Sequence, residues 1–238
     1  MRVEGGNDRV HDSRRRVTVV FADLTGYTSM SERLDPEALR DVQQRFFDAV
    51  RVPIERHEGT VEKFIGDEVM VVFGTPVLHE DDALRAVRCA FDIQRALEAL
   101  NRDLGARWGV QLAIHTGINT GAVVAEDAST NQGLVTGDVV NTAKRLETAA
   151  QTGEVLVGAE TYWLVRHAVT AEPVPPLALK GKSEPVPAWR VTAVDPTAAA
   201  IPRRLDSPMV GRGRQLRILH DAAEIGRASC RERVSSVV

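Results

Sequence analysis

Two periods of apolar residues run along this chain, one near two and one near three and a half. Val17 to Ala22 (VTVVFA) is apolar and β-branched, which predicts a buried strand. Asp35-Pro36-Glu37 predicts a helix start, with Asp as N-cap and Pro at the first helical position. Leu39, Val42, Phe46, Val50 and Ile54 then recur at helical spacing and make one apolar stripe. Pro53 predicts a kink or an early end, and Gly59 a left-handed cap. Thr60–Ile65 and Glu68–Phe73 read as short strands, and Gly66-Asp67 between them is a hairpin signal. Residues 80–101 predict a long helix with acidic residues in its first turn and a buried face of Ala83, Val87, Ala90, Phe91, Leu97 and Leu100. Val110–Ile118 and Gly121–Ala125 predict a strand pair turning at Asn119-Thr120-Gly121. After a polar loop, Asp138 is expected to cap a helix to about Ala150, followed by a strand at Glu154–Val157 and a short helix at Thr161–Arg166. Five prolines between 171 and 187 predict an irregular sheet edge before a last strand at Trp189–Val194. The fold class is therefore α+β: a ferredoxin-like βαββαβ antiparallel sheet with helices on one face, plus C-terminal strand additions.

The chain has 238 residues, 43% of them hydrophobic, enough for one domain of roughly 150–200 residues with terminal segments. Residues 1–16 are polar and charged, and are expected to be disordered; 17–194 form the domain. Net charge is −3, from 30 basic and 33 acidic residues, which gives no support for a nucleic-acid or anionic-membrane partner. No apolar run approaches the roughly 18 residues of a membrane span, and the N-terminus lacks the apolar core of a secretory signal. Cys89 and Cys230 make no disulfide framework, so a cytoplasmic location is expected. Residues 195–223 read as a linker and the opening of another module; 224–238 resemble translated vector sequence and are excluded from fold reasoning.

Two carboxylates stand where polar side chains are normally unwelcome. Asp23 ends the run VTVVFAD, and Asp67 interrupts KFIGDEVMVVF. Singly, each reads as a turn residue. Together, at the ends of adjacent strands, they can clamp two divalent ions, as phosphoryl chemistry on a nucleotide requires. In Leu24-Thr25-Gly26-Tyr27-Thr28, Gly26 lets the backbone approach a phosphate that successive N–H groups can cradle. Asn141 and Arg145, spaced i, i+4, share a helix face, where Asn is a poor helix former. His115 reads as a satisfied core or interface histidine, because no His or Cys spacing accompanies it. Trp108, Trp163 and Trp189 read as packing residues.

The ordered blocks FADLTGYT, KFIGDEV, TGDVVNTAKRL and LKGKSEPVPAWRV resemble the class III nucleotidyl cyclases, over about Val17 to Val194. The resemblance implies that Asp23, Asp67 and the Leu24 carbonyl hold two Mg²⁺ or Mn²⁺ ions per site. It implies that Lys63 donates to a ring nitrogen of adenine, at a position usually acidic in guanylate cyclases. Leu134 falls at the second purine-reading position, often Asp or Thr, and leucine cannot accept from the adenine amino group. No basic residue lies between Gly117 and Ala143, so a phosphate-binding arginine found there in some relatives is missing. Asn141 would orient the ribose, Arg145 would meet the charge on the α-phosphate, and Lys180 would grip the terminal phosphates, with Lys182 solvated. The implied reaction is ATP to 3′,5′-cyclic AMP and pyrophosphate, in sites shared across a head-to-tail homodimer. Two other readings stay open: a guanylate cyclase, and a non-catalytic nucleotide-sensing or dimerisation module. The stretch SPMVGRGRQLRILHDA resembles the start of a P-loop ATPase module often fused to this cyclase type, although no GxxxxGK[ST] follows.

Overall fold

The central strand β1 (Ser13–Leu24) is antiparallel to both its neighbours, β3 (Glu68–Phe73) and β4 (Ile114–Ala125). The computed structural model describes residues 13–125, 137–178, 184–199 and 218. Leu134, Lys180, Lys182 and the expected ATPase opening and vector-like tail lie outside the described residues, Ile218 excepted. The chain divides into two compact units, Met1–Ile201 and Pro202–Val238, and every element named below belongs to the first. β1 starts at Ser13, inside the segment expected to be disordered, because the far end of β4 supplies partners for Ser13–Arg16.

β2 (Thr60–Ile65), β5 (Val155–Gly158), β6 (Val169–Leu177) and β7 (Val186–Val194) complete a seven-stranded sheet in the order β2-β3-β1-β4-β5-β7-β6. The first four are the ferredoxin-like set; β5 joins β4 in parallel, and the proline-bearing β6 takes the edge. α2 (Pro36–Arg56) and α3 (Asp82–Trp108) pack on one face. Their apolar stripes close over Val20, Ala22 and Leu24 of β1 in the main core. The additional helix α4 (Asp138–Ala149) covers the other face, over Val17, Val19 and Phe21, so β1 is buried on both sides.

The local signals hold at the start of α2, where the Asp35 carboxylate accepts from the Ala38 N–H at 2.8 Å. They give way in several places. Pro53 does not stop α2, which runs on to Arg56 with the proline buried in the core. The left-handed residue that follows is Glu58 (φ 59°), not Gly59; Gly59 is required because a Cβ there would meet the Phe73 ring at 2.7 Å. α3 runs seven residues past the expected end, to a left-handed cap at Gly109 (φ 64°). Asn119-Thr120-Gly121 is no turn: β4 passes straight through it. The Thr120 hydroxyl is 2.9 Å from those of Thr18 and Thr161, the latter in the short helix α5 (Ala159–Val165).

α4 lies unusually close to β4. A Cβ on Gly117 would fall 2.1 Å from the Glu147 nitrogen and 2.3 Å from the Ala143 carbonyl oxygen, both backbone atoms that cannot swing aside. Gly117→Ala should therefore destabilise the domain by about 3 kcal/mol, as forced overpacking does. Urea unfolding checks this, and a loss below about 1 kcal/mol would mean that α4 is not seated on this glycine.

Candidate active site

Side chains alternate along β1, and the face that carries Val17, Val19 and Phe21 next delivers Asp23 at the strand's open end. Asp23 lies opposite Glu68 on β3 and His115 on β4. Asp67 sits in the β2–β3 hairpin beside Glu68, after Gly66, whose φ of 65° the tight turn requires. Burial raises the Asp23 carboxyl above its ordinary range, and the charges of Asp67 and Glu147 raise it further, against Lys144 and His115. The two expected metal carboxylates are thus brought close enough to repel one another.

Lys63 is exposed on β2, opposite Met70, which itself lies opposite Phe21. A bulge between Val61 and Lys63 puts these two on opposite faces: Val61 packs towards the α2–α3 core, and Lys63 shares the face of Asp23. Leu24 points into the core, leaving its backbone for the site. Beyond it the Thr25 N–H donates to the Ala113 carbonyl at 2.8 Å, and Gly26 turns with φ 79° into the short helix α1 (Tyr27–Ser31). Asn141 is exposed and Arg145 half-buried, one turn apart on α4. Asp138 is the first residue of that helix and not its cap; the cap position belongs to Gly137. Trp108 and Trp189 pack against the core, but Trp163 is 58% exposed, with Tyr162 and Arg166 against its ring.

His115 is satisfied, as the sequence suggests, but by partners at the site. Its Nε2 lies 2.6 Å from Glu147 Oε1 and 3.8 Å from Asp23 Oδ2, and its Nδ1 3.2 Å from the Thr25 hydroxyl. The other Glu147 oxygen meets Lys144 Nζ at 2.6 Å, and the same ammonium meets Glu68 Oε2 at 2.8 Å. Burial lowers the Lys144 pKa, but its bonds to Glu147 and Glu68 outweigh that and raise it, so the ammonium stays charged. Burial raises Glu68, opposed by Lys144. Glu68, Lys144 and Glu147 carry no motif of their own; the i, i+3 spacing on α4 and the place of Glu68 beside Asp67 are the only signals in the sequence.

Asp23, His115 and Glu147 each offer a ligand atom within 4.8 Å of the others. The 2.6 Å His115–Glu147 contact is a hydrogen bond, and both oxygens of Glu147 are engaged, so Asp23 is the member free to bind a cation. Carboxylates of Asp23 and Asp67 with a backbone carbonyl form an all-oxygen set, which suits Mg²⁺ or Mn²⁺, and a divalent ion would relieve the repulsion felt at Asp23.

The profile of the adenylate and guanylate cyclase catalytic domain matches residues 10–191, and the chain belongs to that family. It is 33% identical over 137 residues to adenylate cyclase 1 of Rhizobium meliloti, covering 56% of this chain and 21% of that one. The chain thus matches about a fifth of that curated relative's length. Its structure resembles that of the adenylyl cyclase CyaB from P. aeruginosa, with a TM-score of 0.72 and 33% identity over 79% of this chain and 98% of the other. It also resembles the guanylyl cyclase Cya2, with a TM-score of 0.70 and 34% identity over 78% and 96%. No helix among the described residues is long and apolar enough to cross a membrane.

Because the folded state raises the Asp23 pKa, it favours the protonated carboxyl, and ionisation of Asp23 lowers stability. That loss is absent well below the unfolded pKa of 3.8 and complete once pH exceeds the raised folded value. Asp23→Asn should therefore raise the melting temperature of the metal-free protein at pH 7.5, with the gain vanishing as pH falls below about 4. Melting curves with excess chelator check this; an equal gain at both pH values would assign it to something other than charge.

Proposed function

We propose that this domain is an adenylate cyclase, converting ATP to 3′,5′-cyclic AMP and pyrophosphate. The observation that carries the reading is the pairing of Asp23 with Asp67, two carboxylates mutually close at the open end of a buried sheet. Divalent cations between them would lower the pKa of the ribose 3′-hydroxyl and hold the triphosphate. The 3′-oxygen attacks the α-phosphorus in line, its bond to phosphorus forms, and the bond to the β-phosphate oxygen breaks. The protein supplies orientation and charge, with no covalent nucleophile. The backbone turn at Gly26 and Tyr27, continuing into Thr28, cradles phosphate oxygens. Asn141 orients the ribose, and the Arg145 guanidinium meets the charge that grows on the α-phosphate. Lys180 takes the terminal phosphates.

The adenylyl and guanylyl structures resemble this chain equally, so likeness alone does not choose the base. Lys63 does: an ammonium donates to a bare ring nitrogen of adenine, whereas the protonated ring nitrogen of guanine calls for an acidic acceptor. Leu134 adds no polar discrimination, so preference for ATP rests on Lys63 and is modest.

The metal carboxylates and the ribose and phosphate residues belong to two halves of a site. We infer a head-to-tail homodimer in the cytoplasm, with Asp23 and Asp67 of one protomer facing Lys63, Asn141, Arg145 and Lys180 of its partner. The buried free thiol of Cys89, pushed up in pKa by burial, is inert, as suits a reducing compartment.

Purified protein with Mn²⁺ should yield cyclic AMP from ATP faster than cyclic GMP from GTP, with Lys63→Glu narrowing or reversing the ratio. Product analysis separates the readings: faster cyclic GMP formation supports a guanylate cyclase, and nucleotide binding without turnover supports a sensor. Arg145→Ala should lower kcat about 10²- to 10³-fold, the usual loss on removing a donor to transition-state charge.

A second expectation tests the shared site. Asp67→Ala and Arg145→Ala chains, each inactive alone, should regain up to about a quarter of wild-type activity when mixed, because half the dimers are mixed and each then carries one intact site. A mixture as inactive as its components would count against the dimer.

A further inference from the structure

Around the Asp23 end of the sheet, charged groups form a chain that the proposed reaction does not use. It runs from Asp23 to His115, from His115 to Glu147, and through Lys144 to Glu68, beside Asp67. Glu147 has a side chain only 2% exposed and Glu68 one 10% exposed. Desolvating two carboxylates is costly unless each is paired, and one ammonium serves both. The second oxygen of Glu68 is buried and has no hydrogen-bond partner among the described residues. On the other side, His115 also touches Thr25, in the turn that follows Asp23.

We infer that Lys144 and Glu147 are positioning residues for the metal-binding carboxylates. Lys144 bridges α4 to β3 at Glu68, one residue from Asp67. Glu147 holds His115 on β4, and His115 in turn confronts Asp23 on β1. The bridge fixes the ends of three strands relative to one another, and with them the spacing of Asp23 and Asp67. Without the ammonium, Glu68 would lose its ion-pair partner, Glu147 would keep His115 and the Thr148 hydroxyl, and the two carboxylates would repel one another with no cation between them. This inference rests on the reading that Asp23 and Asp67 bind divalent cations.

Charge and position predict opposite outcomes, which makes the test decisive. Deleting a positive charge beside several carboxylates should tighten divalent binding if Lys144 acts only through its field. If it positions them, binding should weaken, as loss of an outer partner of a metal ligand usually weakens it by about 10- to 100-fold. The measurement is Mn²⁺ binding to the full chain without nucleotide, read from the electron paramagnetic resonance signal of free Mn²⁺. Wild type, Asp23→Asn, Lys144→Met and Lys144→Arg are compared, with circular dichroism to confirm folding. We expect Lys144→Met to raise the Kd about tenfold or more, and Lys144→Arg to recover most of the loss. In turnover, Lys144→Met should raise the Mn²⁺ concentration needed for half-maximal rate while leaving the KM for nucleotide at saturating Mn²⁺ within about twofold. If Lys144→Met does not fold, Lys144→Gln removes the same positive charge while keeping a polar partner for the buried carboxylates, and it too should weaken Mn²⁺ binding where a field effect alone would tighten it. Unchanged or tighter binding by the folded variant, while Asp23→Asn abolishes it, would overturn the positioning role and leave the metal reading standing. Absence of Mn²⁺ binding by the wild type would overturn both.

Discussion

The seating of α4 on β4 at Gly117 is the constraint on which the rest of the site depends. With no side chain at that position, helix backbone and strand backbone come within the distance a single Cβ would occupy. At that contact the helix carries the fully buried Leu146 beside its charged residues. It presents Glu147, almost fully buried, and Lys144 beside it. A carboxylate so placed requires strong partners for both oxygens, and it has them in His115 and Lys144 at 2.6 Å each. The chain of charged groups that results ties α4 to the strand ends that carry Asp23 and Glu68, beside Asp67.

β1 shows how one strand serves stability and chemistry together. Val20, Ala22 and Leu24 face the large core under α2 and α3, while Val17, Val19 and Phe21 face α4. Val17 to Ala22 are buried on both sides of the sheet, and the alternation that buries Phe21 delivers Asp23 two residues later on the same face. Held there, the Asp23 carboxyl is raised in pKa first by burial and then by the charges of Asp67 and Glu147. In the reading proposed above, divalent cations would relieve that repulsion.

What the sequence made legible follows from the range of the interactions. The apolar run of β1, the Asp35 cap and stripe of α2, and the Gly66-Asp67 hairpin depend on neighbours within a few residues, and each stands where its pattern predicts. Asp23, Gly26, Lys63, Asp67, Asn141 and Arg145 could be singled out as candidates because each sits in a motif or at an end of such an element. Asn119-Thr120-Gly121 misled because turn propensity is weaker than strand pairing plus hydroxyl bonds to Thr18 and Thr161, which lie 102 and 41 residues away. His115 and Glu147 meet across 32 positions of sequence, and Lys144 and Glu68 across 76. No local spacing could announce them. Gly59 and Gly117 were required by space rather than by backbone angle, a distinction invisible without the atoms they avoid.

α4 ends up with two jobs on two faces. Successive helical residues are turned by about 100°, so Lys144 and Arg145 are neighbours in sequence that look in different directions. Lys144 and Glu147 reach towards the carboxylates of their own protomer. Asn141 and Arg145 lie on the more open side, where, in the head-to-tail dimer proposed above, they would act on nucleotide held by the partner's aspartates. The helix is then a rigid rod between one site's metal half and the other site's ribose and phosphate half. In that dimer, a displacement of α4 as a whole would be felt at both sites.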